Sequence, residues 1–388
     1  SIYQVVVNNK ETGNKSALGS GFQVSPGGLI VTNYHVISSF VFEPDTHELQ
    51  YIDWRGVAGE MYLVDFDVVN DVALLQAREV GESFFMISQE SYRQGDRVFA
   101  MGNPHDYGML MVDGAYNGIA ENSYIDKILF SGSLNSGMSG GPAIDRMGRI
   151  VGVNVATAGS QLSFLVPAEK VMALLSKEDS LRPTGPDQYK RQIRDQLAAF
   201  QRDYYAMLMR QDWKPQSIGD NARVIGEMSP DISCWGGSNQ GRPDQEILVL
   251  ELSCNNGNHT FLESRFNTAQ LHYSFYYYDT DELTPDQFHD QVGAQNFFAD
   301  NSAPERYMTG FKCEQSYVDI GEANGEGFRQ AGICFRAYRD FPGLYDSLFY
   351  MFQGQDKRAL VSHFTLAAVE PEMAMDFAKR FMEVASWN

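Results

Sequence analysis

The chain has 388 residues, 43% of them hydrophobic and 21% charged, which is ordinary globular composition with enough apolar material for two or three domains. A formal net charge of −20 argues against the electrostatic footprint of a nucleic-acid binder and leaves only weak steering of basic partners. No apolar run approaches the roughly 18 residues of a membrane span, and the opening at Ser1 without a methionine reads as a processed or trimmed form whose targeting segment is missing.

Taken in chain order, residues 1 to about 172 form closely spaced short apolar runs punctuated by Gly, Asn and Pro. Examples are YQVVV, GSGFQVS, GLIVTN, MYLVDFDVV, DVALLQA, DRVFAMG, KILFSGS, GRIVGVNVA and SFLVPA. Strands at this spacing predict an all-β barrel or sandwich. A short helix over AEKVMALL closes the region, and a first domain is expected over 1–174.

The polar stretch SKEDSLRPTGPD, with two prolines and a glycine, reads as a linker. Ile193, Leu197, Phe200, Tyr204 and Leu208 then recur at helical steps and predict an amphipathic helix over roughly 187–210. Linker and helix together occupy 175–212. The helix stripe either packs on its own domain or serves as an oligomer contact.

From 213 to 388 strand-like runs return: ARVIGEM, ILVLELS, HTFLESRF, LHYSFYYY, GICFRAYR, DSLFYMFQ and RALVSHFTLAAV. Two helices join them. One starts at Thr284-Pro285-Asp286-Gln287, where Thr is a good N-cap, Pro fits the first turn and Gln completes a capping box. The other runs from about 371 to 386. The pattern is α+β, of no fold that can be named. All four cysteines lie here, at 234, 254, 313 and 334. With no C-x-x-C spacing, they read as two disulfides rather than as a metal or redox site. Four cysteines allow three pairings, and sequence does not choose among them; the expectation is pairing between neighbours, Cys234 with Cys254 and Cys313 with Cys334.

The stretch LNSGMSGGPAID packs turn residues around Ser139. Turn chemistry alone would account for its glycines. Nucleophilic catalysis by serine makes further demands: a base to take the hydroxyl proton, an acid to hold that base, and fixed donors for the oxyanion. His35 in LIVTNYHVI, at an apolar strand end, is the candidate base. Asp71 in NDVALLQ is the candidate acid, with Asp65 and Asp67 as nearby decoys. The amides of Gly137 and Ser139 would form the oxyanion hole, and Gly137 permits the backbone angles such a turn needs. Each piece alone is weak; the order His, Asp, Ser within one β-rich region is far more specific.

On GSGFQVSPGGLIVTNYHVI, NDVALLQ, NSGMSGGPAIDRMGRIVGVNVATAG and SFLVPAEKV, the first 172 residues resemble the trypsin-like serine peptidases, most closely their HtrA/Deg branch. The resemblance implies two six-stranded β-barrels with a Ser139–His35–Asp71 triad in the cleft between them. His272, His289 and His363 show no HExxH or Cys/His clustering, so no metal is expected, and no cofactor. Met138 stands where activatable trypsins carry an aspartate, so activation by a new N-terminus is not expected. NSG replaces the more usual NPG, and no PDZ carboxylate loop follows. Ser133 occupies the position where enzymes cutting after Lys or Arg hold an acid; with Val153, Asn154 and Val155 it predicts a small or apolar pocket. The SQLSF stretch faces that strand.

DTDELTPDQFHD starts like a calcium loop but lacks the required glycine at its sixth position. The tyrosine-rich YSFYYYD reads as a half-buried strand. The expectation is a periplasmic or secreted serine endopeptidase acting on proteins or peptides after small or aliphatic residues, with a C-terminal regulatory or substrate-recruiting domain. The competing reading is a peptide-binding, chaperone-like or sensor protein on the same scaffold with little proteolysis.

Overall fold

The computed structural model describes the chain except residues 79–80, 104–106, 156–162, 184, 243–244, 294–302, 318–327 and 388. Part of the SQLSF stretch therefore lies outside the described residues. Two compact units divide the chain: Ser1–Gln196 with Thr260–Ser264, and Leu197–His259 with Arg265–Asn388.

In the first unit, β1 (Ile2–Asn9), β2 (Lys15–Gln23), β3 (Leu29–Thr32), β4 (His47–Ile52), β5 (Ala58–Asp67) and β6 (Val72–Ala77) close a barrel in the order β1-β2-β3-β6-β5-β4. A second barrel follows from β7 (Arg97–Gly102), β8 (Leu110–Ile119), β9 (Ile128–Phe130), β10 (Pro142–Ile144), β11 (Ile150–Val155) and β12 (Ser163–Pro167), in the order β10-β11-β12-β9-β8-β7. Read from β7, this is the same order as in the first barrel. Closure leaves no sheet edge to protect. Along β4, HELQYI, residues alternate buried and half-buried, with Leu49 and Tyr51 facing inward.

Phe22, Val31, Val72 and Leu74 of the first barrel share an apolar cluster with Ile150, Val153 and Val166 of the second. Val171 and Leu174 of the short helix Ala168–Leu175 complete it. The interior of the second barrel is filled by Val98, Ile128, Phe130, Leu134, Met138, Val151 and Leu165. Met138 is thus a core side chain, which accounts for an apolar residue just before Ser139.

The stretch read as a linker is docked on the barrels at one point: Lys177 makes an ion pair at 2.9 Å with the fully buried Asp65. The predicted helix forms over Pro186–Arg210, 25 residues. Its first half belongs to the barrel unit, where Gln192 Nε2 donates to Asp65 and to the Phe66 carbonyl, each at 2.7 Å. Gln196 bonds the Phe66 carbonyl and accepts the Val68 amide, both at 2.8 Å.

The second unit centres on a seven-stranded antiparallel sheet. Its spatial order is Ser233–Ser238, Leu248–Asn255, Leu271–Asp279, Arg358–Val369, Tyr345–Gln355, Phe328–Ala337, Lys312–Tyr317. The C-terminal helix Pro371–Val384 lays Phe377 and Phe381 on one sheet face. There Phe381 stacks on Phe275 at 5.3 Å and Phe377 meets Phe364 edge-on at 5.1 Å. The helix Pro285–Gly293 starts as predicted, with Thr284 and Gln287 bonded reciprocally. Cys234–Cys254 and Cys313–Cys334 are disulfides, each joining an edge strand to its neighbour directly across the ladder.

Candidate active site

The strand carrying LIVT ends because Asn33 turns the chain into α1 (Tyr34–Phe42), whose N-cap it is. His35 therefore stands in the first turn of a nine-residue helix rather than on a strand end. The apolar residues after it, Val36, Ile37 and Val41, are buried by the helix, so the apolar run reflects helix packing.

Asp71 lies one residue before β6 with φ of +55°. This left-handed conformation is costly for most L-residues and better tolerated by Asp. It lets one carboxylate serve the helix twice. Oδ1 accepts the His35 backbone amide at 2.9 Å and Oδ2 accepts His35 Nδ1–H at 2.7 Å. Asn33 Nδ2 in turn donates to the Asp71 carbonyl at 2.8 Å. The carboxylate fixes the imidazole tautomer with Nδ1 protonated, leaving Nε2 able to accept a proton. Burial pushes the His35 pKa down, but the charge of Asp71 and its hydrogen bond outweigh that effect, and the net shift is above the ordinary value. The side chains of His35 and Asp71 are 28% and 24% exposed. The decoys are engaged elsewhere, Asp65 with Lys177 and Gln192, Asp67 with Asn70.

Ser139 is 5% exposed, on a turn fixed from several sides. The Met138 amide donates to the Asn135 carbonyl at 3.0 Å, and the Gly141 amide to the Met138 carbonyl at 3.1 Å. The Gly140 amide donates to the Asn154 carbonyl, and the Asn154 amide to that of Gly141, both at 2.9 Å. Gly137 and Gly140 have φ of +92° and +81°. A Cβ on Gly140 would lie 2.2 Å from Thr32 Oγ1, and one on Gly141 would lie 2.1 Å from the Met101 carbonyl. The glycines thus answer both backbone angle and close approach. Gly19 brings α1 and the turn together: a Cβ there would meet Val36 at 2.6 Å and the Ser139 carbonyl at 3.0 Å.

Of the residues expected to line the pocket, Ser133 is exposed and Val155 half-buried. Val153 is fully buried in the core, and Asn154 Nδ2 donates to the Met101 carbonyl at 2.8 Å.

Sequence reasoning missed two contributors. Ser20 of β2 clamps the turn to the first barrel: its amide donates to the Ser139 carbonyl at 2.8 Å and its hydroxyl to that of Gly137 at 2.7 Å. The same hydroxyl accepts the Asn103 amide at 3.0 Å. The signal was the small serine between glycines in GSGF. Asn33 is the second. Among the described residues no group of three or more His, Cys, Asp or Glu is placed to hold a metal.

Residues 19–153 match the family model for a trypsin-like peptidase domain. Serine protease HTRA1 of Xenopus tropicalis is 30% identical over 180 residues, covering 44% of this chain and 38% of that protein. Protease Do-like 5, chloroplastic, of Arabidopsis thaliana is 30% identical over 189 residues, covering 43% and 58%. A probable periplasmic serine endoprotease DegP-like of Brucella suis is 32% identical over 180 residues, covering 42% and 34%. The chain spans between 34% and 58% of the length of these relatives. With two closed six-stranded barrels in the N-terminal part and a trypsin-like peptidase model matching residues 19–153, the N-terminal part of the chain is similar to the trypsin-like peptidase domains of HTRA1 and DegP-like proteases.

Proposed function

We propose that the chain is a serine endopeptidase that hydrolyses peptide bonds of protein substrates through an acyl-enzyme. His35 Nε2 takes the Ser139 hydroxyl proton as Oγ attacks the scissile carbonyl, and returns it to the leaving amine. Asp71 holds the imidazole and stabilises the imidazolium. The Gly137 and Ser139 amides receive the oxyanion, which needs donors fixed before the charge develops. The observation that carries this reading is the pairing of both Asp71 carboxylate oxygens with His35, at 2.9 and 2.7 Å, on a helix that meets the Ser139 turn across Gly19.

The finer reading is cleavage after small or aliphatic side chains. What supports it is the residue types expected to line the pocket, Ser133, Val153, Asn154 and Val155, with Ser133 exposed and no acid at 133 to bind Lys or Arg. Two disulfides and the periplasmic relative favour work outside the cytoplasm. No described helix is long and apolar enough to cross a membrane.

The test is reaction with a fluorophosphonate probe together with casein hydrolysis. Wild type labels on Ser139 and cleaves; Ser139→Ala does neither, and loses several powers of ten in rate because triad members act as a unit. Casein hydrolysis that survives in clean Ser139→Ala protein defeats the assignment. Wild type that binds casein without labelling or cleaving favours a peptide-binding protein instead.

A further inference from the structure

The barrel unit draws one strand from far along the chain. Thr260–Glu263 alternates in burial: Thr260 and Leu262 are buried, Phe261 and Glu263 half-buried. Its buried face is gripped by the residue just before the base. Tyr34, itself fully buried, donates its hydroxyl to the Leu262 carbonyl at 3.0 Å, and its ring lies 5.3 Å from that of Phe66. One step along each element, Phe261 meets the imidazole of His35 edge-on, with ring centroids 6.0 Å apart and an interplanar angle of 79°.

We propose that Phe261 is a positioning residue for His35, a reading that rests on His35 being the base of a peptidase. The Asp71 bond fixes the imidazole at one end only, and a ring hinged at Nδ1 can still swing its Nε2 away from the nucleophile. An aromatic ring packed on it is a second point of attachment. Proton transfer is sensitive to such placement, since reacting atoms must stay within about 3–3.5 Å. Edge-to-face ring pairs have preferred geometry and a modest energy of their own, so the effect is graded rather than all-or-none. The strand is pinned for this task by the adjoining Tyr34–Leu262 bond. The peptidase site is then assembled from residues on both sides of the long helix, and the region matching the family model, 19–153, does not contain all of it.

The full-length protein tests this, with a chromogenic peptide ester as substrate and fluorophosphonate titration to count competent sites. Phe261→Ala lowers kcat per titrated site roughly three- to tenfold, the size of an aromatic-pair contribution, with KM within about twofold. Phe261→Tyr, which keeps the ring, restores most of the loss. Tyr34→Phe releases the strand, lowers kcat in the same direction, and adds little to Phe261→Ala because both act through one contact. Wild-type kcat per titrated site in Phe261→Ala, a loss confined to KM, or a loss that tyrosine fails to rescue overturns the proposal. Titration removes misfolded molecules from the count, so mere destabilisation leaves kcat unchanged and also counts against it. Wild type that does not label at all brings down the peptidase reading; a labelled wild type with an indifferent Phe261→Ala brings down positioning alone.

Discussion

His35 carries opposed influences, and their net sign sets a pH dependence. Burial disfavours the imidazolium, while the charge and hydrogen bond of Asp71 favour it and prevail, raising the pKa above its ordinary value. A general base works when neutral, so kcat/KM should fall on the acid side with a limb above about 6.5. Asp71→Asn removes the charge that raises the pKa and should move the limb to lower pH. It should also lower kcat by about 10⁴, because an amide no longer enforces the correct tautomer. The linked stability runs the other way. With the folded pKa raised, the pair's contribution is full below about 6.5 and is lost as pH rises through the folded value. Rates and melting temperatures across pH 5–9 check both signs; an acid limb unmoved by Asp71→Asn contradicts the first. Ser20 offers a second residue-scale prediction. Ser20→Ala strips the Gly137 carbonyl and the Asn103 amide of a partner at once. Leaving such groups unpaired costs about 1–3 kcal/mol each where they are buried. The turn should loosen, and probe labelling of Ser139 should slow at least tenfold in protein that still folds. Labelling at the wild-type rate would show that the turn holds its shape without the clamp.

At the scale of elements, most barrel strands and the centre of the large sheet were legible because their apolar residues announce them, whereas HELQYI and the largely exposed LMVDGAYNGI were not among the runs that stand out. RALVSHFTLAAV is buried at nearly every position, as a central strand must be. The edge strands SCWGGS and KCEQSY were not read as strands, being exposed, polar or glycine-rich. Their strand character comes from pairing with a neighbour, which local composition does not record. The triad candidates were legible because the chemistry restricts residue types, yet the setting of His35 was not: an apolar run after a strand fits a longer strand as well as a helix turn. Thr260–Glu263 was read as strand-like, but nothing in its residues says which unit it joins, since that depends on contacts more than 200 residues apart in sequence, such as Tyr34 with Leu262. The disulfides explain how the exposed edges are held. Each closes a loop of about 20 residues, worth roughly 3 kcal/mol in the chain-entropy model. Replacing Cys234 and Cys254 together by Ser should lower the stability of the second unit by about that amount, as should the Cys313 and Cys334 pair. Denaturation that is indifferent to both replacements would show that strand pairing alone holds the edges.

At the scale of the whole molecule, the question is what the second unit adds beyond the strand it surrounds in sequence. We propose that it controls access to the peptidase site or presents protein substrates to it. It is comparable in size to the peptidase unit, and its aromatic side chains form a substantial core of their own. Cutting the chain after about residue 180 is a poor test, because it also removes the Gln192 and Gln196 bonds to Asp65, Phe66 and Val68. A chain ending at residue 196 keeps them and loses Thr260–Glu263 with the rest. Its hydrolysis of a short peptide ester should fall about as far as that of full-length Phe261→Ala, since both lack the ring beside His35. Casein hydrolysis should fall further if the second unit handles protein substrates. The ratio of casein to ester rates, in shortened protein shown to be folded, is therefore the informative quantity. A ratio well below that of full-length Phe261→Ala supports substrate presentation. A ratio above it, with casein cut faster, supports restriction of access. Equal ratios would reduce the second unit to the carrier of one strand.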